Sequence, residues 1–178
     1  MQACSLHTYH SGRVCPAYRE NGGVPTAVTF SNGVATFDGA TSKIEYPLID
    51  LGTVHTVRFI AKRAVVSNVF MRGENADNYI GVVGPNLNYK VVGGSLSWTP
   101  LADADAETHE YVFSRNGNSV IYYLDGVSQG VKSGVGSVKL NFQYIGSVTA
   151  ETMDGDMSLF EIYNYALTAE EVSNLRGL

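Results

Sequence analysis

Charge is scarce in this chain. Only 16% of its 178 residues are charged, against roughly 25% in an ordinary soluble domain. The net charge is −5 and the pI about 5.3, with no cluster of Lys and Arg. That balance excludes a nucleic-acid binder, which needs concentrated positive charge to meet phosphates. No apolar run approaches the ~18 residues of a membrane-spanning helix, so no membrane partner is expected. The opening residues, Met1 to His7, lack the basic patch and apolar stretch of a Sec signal peptide. No Asn-x-Ser/Thr sequon occurs, so nothing points to a eukaryotic secretory origin. What the chain does have is apolar bulk. Hydrophobic residues make up 44%, with 11 Tyr, 7 Phe and 19 Gly. That is enough to fill a core and excludes disorder.

Cysteine is nearly absent. Ten residues lie between Cys4 and Cys15, and a hairpin can bring such a pair within bonding distance. They are read as reduced thiols or one optional bridge. The alternative is a zinc site of Cys4, His7, His10 and Cys15, four soft ligands in twelve residues. That spacing matches no frequent zinc pattern, and no metal is assigned.

Alternating, β-branched and aromatic runs fill most of the chain. Residues 27–30 and 34–37 flank Ser31-Asn32-Gly33, a strong hairpin signal. Residues 43–46 form a run that Pro47 is expected to close. Within 56–63, Val57, Phe59 and Ala61 share one face, and Arg58, Ile60 and Lys62 the other, as in a half-buried strand. Further runs cover 66–71, 79–83, 89–92, 95–99, 110–115, 120–124, 127–129, 138–145 and 157–163, with Asn116-Gly117-Asn118 and Asp125-Gly126 as tight turns. One helix is predicted, over 169–176. Thr168 and Glu171 make a capping box, Leu167 and Val172 a staple, Val172 and Leu175 the apolar stripe, and Gly177 the C′ residue. Eleven or twelve short strands and a terminal helix predict an all-β antiparallel sandwich, one domain over residues 1–178. The absence of intervening helical patterns excludes parallel βαβ units.

Four segments resemble one family. Residues 37–45, FDGATSKIE, are similar to the FDG-x-x-S-x-I segment of laminin G-like domains, members of the concanavalin A-like lectin/glucanase superfamily. Residues 109–117 and 120–127 resemble the family's strand-and-turn and its Y-x-D-G hairpin. Residues 153–172 resemble its closing strand and helix start. The four stand in the family's order over residues 37–178. The resemblance implies a jelly roll of two antiparallel sheets.

Function is less legible. Laminarinase-type hydrolases of the superfamily carry Glu-x-Asp-x-(x)-Glu on one strand, so that a nucleophile and an acid meet across the bond. Here no Glu is followed two residues later by Asp. Glu161 is the only carboxylate inside the last predicted strand, without an acidic partner at i±2. An enzyme is therefore not expected. His7, His10, His55 and His109 lie in no nucleophile motif. The resemblance raises calcium, for which Asp103, Asp105 and Glu107, or Asp154 and Asp156, are the acidic turns present; they are read as solvated, and no cofactor is assigned. The candidate ligand-binding residues are Trp98, Tyr79, Asn78 and Tyr89, with Asn86 and Asn88 nearby, because aromatic rings stack on sugars and amides bond hydroxyls. The competing reading places those rings in the core.

Two functions follow as expectations. The first is a non-enzymatic structural or decoration protein on a phage virion surface, whose partners are other virion proteins or further copies of itself, with surface polysaccharide as an additional ligand. The second is a stand-alone, extracellular, lectin-like carbohydrate-binding module.

Overall fold

Fifteen strands and one helix are formed by the residues that the computed structural model describes, 13–14, 22–63, 68–84, 86–98, 107–146 and 152–175. In chain order the strands are β1 (Arg13–Val14), β2 (Val24–Thr26), β3 (Thr29–Ser31), β4 (Val34–Asp38), β5 (Lys43–Asp50), β6 (Val54–Arg63), β7 (Asn68–Arg72), β8 (Tyr79–Val83), β9 (Asn86–Val91), β10 (Gly94–Trp98), β11 (Thr108–Asn116), β12 (Ser119–Leu124), β13 (Val127–Ser133), β14 (Asn141–Gly146) and β15 (Asp154–Tyr163), followed by helix α1 (Ala169–Leu175). The count exceeds the expected eleven or twelve because short pieces such as β1 and β2 carry too few residues to show a period.

All pairing is antiparallel. Sheet A has the order β13-β12-β11-β6-β15-β4-β3, with β1 alongside the end of β15. Sheet B has the order β10-β9-β8-β7-β14-β5-β2. The two sheets face each other as the predicted jelly-roll sandwich. The expected hairpins are present. Asn32 and Gly33 take φ of 49° and 78°, and Asp125 and Gly126 take 51° and 76°, the paired positive values that a two-residue turn requires. Pro47 does not close β5. It sits where the β5–β14 register shifts between Phe142 and Tyr144, and a bulge has no ladder bond for Pro to break.

The core between the sheets is aromatic. Phe59 of β6 lies 4.5 Å from Phe70 and 4.9 Å from Tyr111, and Phe142 lies 5.2 Å from both Tyr46 and Phe160. Val57, Phe59 and Ala61 all face inward, as their alternation predicts. The opposite face of β6 is more covered than expected. A second, smaller apolar cluster of Val112, Tyr123, Tyr163, Leu167, Val172 and Leu175 seats α1 on the outside of sheet A. The capping box forms as predicted: Glu171 N–H donates to Thr168 Oγ1 at 3.2 Å, and Thr168 N–H to Glu171 Oε2 at 2.8 Å. Gly177 lies outside the described residues.

The FDG segment is a structural pin. Asp38 Oδ1 accepts the N–H groups of Ala40, Thr41 and Ser42, each at 2.9 Å. The Ser42 side chain and these three donors hold the Asp38 carboxyl well below the usual carboxylate range. Gly39 has φ +70°, and a Cβ there would stand 2.8 Å from Asp154 Cβ, so only glycine fits.

A polar seam crosses between the sheets at one end. Arg115 is fully buried and donates to Gly117 O at 2.8 Å, Val138 O at 2.7 Å, Gly136 O at 3.2 Å and Tyr89 Oη at 3.3 Å. Tyr89 Oη stands 2.8 Å from His55 Nε2, and His55 Nδ1 stands 3.1 Å from Leu51 O. A carbonyl only accepts, so Nδ1 carries the proton, and Tyr89 donates to Nε2. His55 is thus neutral. Burial, then the neighbouring Arg115 charge, pushes its pKa down to about 4. The unfolded chain titrates near 6.5. Stability from this site is therefore complete above about pH 6.5 and is lost as pH falls toward 4. Between pH 7 and about 4.5 the wild type should lose about 2–3 kcal/mol more than His55→Gln. Urea unfolding of both proteins at the two pH values measures the difference.

Candidate functional site

The outside of sheet A is closed by α1. Beneath the helix, Arg58 Nε donates to Glu110 Oε1 at 2.6 Å and its NH1 to Glu161 Oε2 at 2.9 Å, while Tyr163 Oη donates to the same Glu161 oxygen at 2.7 Å. Burial opposes the Arg58 charge, but attraction to Glu161 and Glu110 outweighs it and raises the guanidinium pKa. Two carboxylates do converge here. Both are buried, with Glu161 at 0% exposure and a guanidinium between them, so neither faces an open cleft where a glycosidic bond would lie.

The outside of sheet B is different. Register places Glu45 (β5), Tyr144 (β14), Arg72 (β7), Tyr79 (β8), Lys90 (β9) and Ser95 (β10) directly opposite one another, one polar row across six strands. Their chain neighbours Ile44, Ile145, Met71, Ile80, Tyr89 and Leu96 all point into the core. The row is held by alternating charge and aromatic contacts. Lys43 Nζ bonds Glu45 Oε2 at 3.2 Å and lies 5.3 Å from the Tyr144 ring centre. Arg72 and Lys90 each lie 5.7 Å from the Tyr79 ring centre, within cation–π range. Lys90 Nζ also pairs with Asp77 Oδ1 at 2.7 Å. Exposure is lowest in the middle of the row. The Asp77 and Lys90 side chains are 52% and 34% exposed, whereas Arg72 and Tyr79 keep 3% and 8%. A second row, Gly81–Asn88–Ser97, runs alongside. Together Asp77, Lys90, Asn88, Ser95 and Ser97 make an accessible patch of donors and acceptors on β8 to β10.

The four residues singled out by the sequence fall differently. Tyr89 is fully buried and bonded to His55, so no ligand reaches it. Trp98 also points inward, edge-on to Phe113 at 6.0 Å and Tyr122 at 5.7 Å. Both rings lie in the core: β9 turns Leu87, Tyr89 and Val91 inward, and pairing of Leu96 with Tyr89 and of Trp98 with Leu87 puts Leu96 and Trp98 on the same face. Tyr79 is on the outer face, with cations over its ring. Asn78 braces the site without presenting a surface: its Nδ2 donates to Asn141 Oδ1 at 3.0 Å and its Oδ1 accepts from Val92 N–H at 3.3 Å. It ties the β7–β8 hairpin to β14 and to the β9–β10 turn. Gly73 permits this, since a Cβ there would meet Asn141 Oδ1 at 1.8 Å. Sequence reading missed Asp77 and Lys90, whose pairing depends on a hairpin and a register that no local pattern displays.

Other candidates are placed as follows. His109 Nδ1 stands 2.6 Å from Asp125 Oδ2, and Glu110 N–H donates to Asp125 Oδ1 at 3.0 Å, so this pair pins the β12–β13 turn. Asp156 Oδ1 accepts from Thr36 Oγ1 at 2.7 Å. Among the described residues no group of three or more His, Cys, Asp or Glu is arranged to hold a metal ion. Asp103, Asp105, Cys4, His7, His10 and Cys15 lie outside the described residues.

A family model for the concanavalin A-like lectin/glucanases superfamily, of laminin G type, matches residues 54–173. The chain belongs to this superfamily. No curated protein sequence matches it. Among solved structures, this lectin-like domain is similar to domain 4 of the extracellular arabinanase AbnA from Geobacillus stearothermophilus, solved with arabinotriose, at TM-score 0.64 and 16% identity over 84% of this chain and 81% of that one. It is similar to the binding domain of Paraclostridial Mosquitocidal Protein 1, at TM-score 0.62 and 16% identity over 85% and 46%. It is also similar to a structure of botulinum neurotoxin type C, whose cell entry depends upon interaction with two ganglioside molecules, at TM-score 0.64 and 9% identity over 93% and 51%. This chain spans about half the length of those two toxin structures. At such identities the likeness is one of fold.

The ion network under α1 yields a test. Removing one partner of a buried pair leaves a charge without compensation. Arg58→Leu strands Glu110 and Glu161 together and should destabilise the domain by about 3–5 kcal/mol, read as a lowered urea midpoint.

Proposed function

We propose that this superfamily member is a non-catalytic, extracellular glycan-binding module that uses the outer face of sheet B. The observation that carries the reading is the polar row from Glu45 to Ser95, with its accessible end at Asp77, Lys90, Asn88, Ser95 and Ser97. Sugar recognition needs several fixed hydrogen-bonding groups on a rigid support, and a paired sheet supplies both. The arabinanase domain solved with arabinotriose and the toxin whose entry depends on gangliosides support it by analogy of fold. The burial of Glu110 and Glu161 favours binding without turnover.

A structural or decoration role on a phage virion surface is the second reading, favoured by one edge. Among the described residues strand β13 pairs with β12 alone, and it is exposed along its length, with Val127 and Val131 at 64% and 60%. Such an edge offers pairing to a neighbouring copy or another virion protein. Copies displayed together would multiply weak glycan contacts.

Two outcomes are expected. Affinity electrophoresis in gels carrying plant and microbial polysaccharides should retard the native protein, and Asp77→Ala with Lys90→Ala should reduce retardation without moving the thermal midpoint by more than a few degrees. Binding should leave the emission of Trp98, the sole tryptophan, unshifted, because its ring lies in the core; a blue shift on saturation would place the ligand elsewhere. For the second reading, sedimentation should show concentration-dependent association that Val131→Lys abolishes.

A further inference from the structure

We infer that the sheet B face selects uncharged, hydroxyl-rich glycan segments over polyanionic ones; this rests on the glycan-binding reading above. The first ground is local charge balance. The face and its β7–β8 hairpin carry Lys43, Arg72 and Lys90 against Glu45, Glu74 and Asp77, and at the β10 edge Lys132 Nζ donates to the Ser97 carbonyl. Lys43 and Lys90 already have carboxylate partners, Glu45 at 3.2 Å and Asp77 at 2.7 Å, and Lys132 is engaged by a backbone carbonyl. The remaining cation, Arg72, is buried against Tyr79. A sulfate or uronate approaching Lys90 would meet the Asp77 carboxylate on the same group, and like charges there repel.

The second ground is the chemistry of the accessible end. A sugar hydroxyl both donates and accepts. The patch offers an ammonium donor at Lys90, a carboxylate acceptor at Asp77, an amide at Asn88, and hydroxyls at Ser95 and Ser97 that do both. Lys90 opposes Ser95 and Asn88 opposes Ser97, so the donors and acceptors lie in adjacent cross-strand pairs, spaced by about 4.8 Å from strand to strand. Vicinal hydroxyls suit such a surface. The third ground is ring access. The Tyr79 ring is held between two cations and Lys43 lies over Tyr144. Selection here runs through hydrogen bonds at the charge pairs, with stacking secondary. The chain's net charge of −5 acts in the same direction by repelling polyanions at long range.

The test uses the whole protein and defined polysaccharides: arabinan, xylan and β-glucan as neutral probes, and heparin, alginate and polygalacturonate as acidic ones. Affinity electrophoresis is run at about 0.05 and 0.5 M NaCl, where screening differs severalfold. The expected result is retardation by at least one neutral probe, equal at both salts. Asp77→Ala/Lys90→Ala should weaken it about tenfold, the loss of a charge-assisted hydrogen bond. Asp77→Asn removes one carboxylate beside Lys90 and gives the face a surplus positive charge, so it should gain salt-sensitive retardation by heparin. Both variants change exposed side chains, and thermal unfolding checks that they fold. Retardation of the native protein by an acidic probe alone, falling with salt, overturns the inference and leaves the glycan reading standing. Neutral binding that survives both variants overturns the assignment to this face. If no probe retards the native protein, the glycan reading fails and the inference with it.

Discussion

Alternate residues of a β-strand point to opposite sides, and a two-layer sandwich assigns each of them to the interior or to an outer surface. Strand β6 shows the consequence. Val57, Phe59 and Ala61 join the aromatic core, while Thr56 and Arg58 face outward beneath α1. Register then carries this assignment from strand to strand, since directly opposed residues share a face. Bulges are the means by which the alternation is reset. Met157 and Phe160 are three residues apart and both lie in the core because the β15–β6 register shifts between Met157 and Leu159. The same device lets Phe142 and Ile145 both point inward.

The two outer surfaces have opposite fates. On sheet A the helix covers an apolar cluster and a charged one together. Desolvating Arg58, Glu110 and Glu161 is costly, and the network persists because attraction and hydrogen bonds offset that cost. Thr56 Oγ1 and Ser114 Oγ add bonds to the carbonyls of Tyr165 and Leu167, fixing the segment that leads into the helix. On sheet B no described helix covers the outer face. Its polar residues are held by one another, through ion pairs and cation–ring contacts, and the hairpin between β7 and β8 is braced by Asn78. That asymmetry, more than any single residue, locates the candidate site.

Much of the fold was legible from local pattern. The hairpins at Asn32-Gly33 and Asp125-Gly126, the capping box at Thr168 and Glu171, and the inward face of β6 depend on residues near one another in the chain. The superfamily resemblance, which the family model bears out over residues 54–173, was legible for the same reason: the Asp125-Gly126 hairpin and the closing strand encode local turns and caps. The site was legible only as a region. Residues 78 to 98 do form the relevant strands, yet Tyr89 and Trp98 turned inward, and the outward residues were Lys90, Asn88, Ser95 and Ser97. An offset of one residue exchanges the faces, and strands rich in both aromatic and polar residues leave that choice to long-range pairing. The coverage of Arg58 was equally hidden, because it depends on a helix more than a hundred residues away.

The carboxylates argue against turnover in a way their sequence spacing alone does not. Glu110 and Glu161 come from different strands, so no linear motif would reveal their approach. Proximity is not sufficient for glycoside hydrolysis, however. One carboxyl must hold a proton and the other must reach an anomeric centre, and both need access to substrate. Here Arg58 lies between the two and bonds an oxygen of each, Tyr163 occupies a Glu161 oxygen, and α1 covers the group. The acids on the other side of the molecule are likewise committed: Asp77 to Lys90, Glu45 to Lys43. Groups held in this way are suited to presenting fixed hydrogen-bonding partners, which is what the proposed binding face requires.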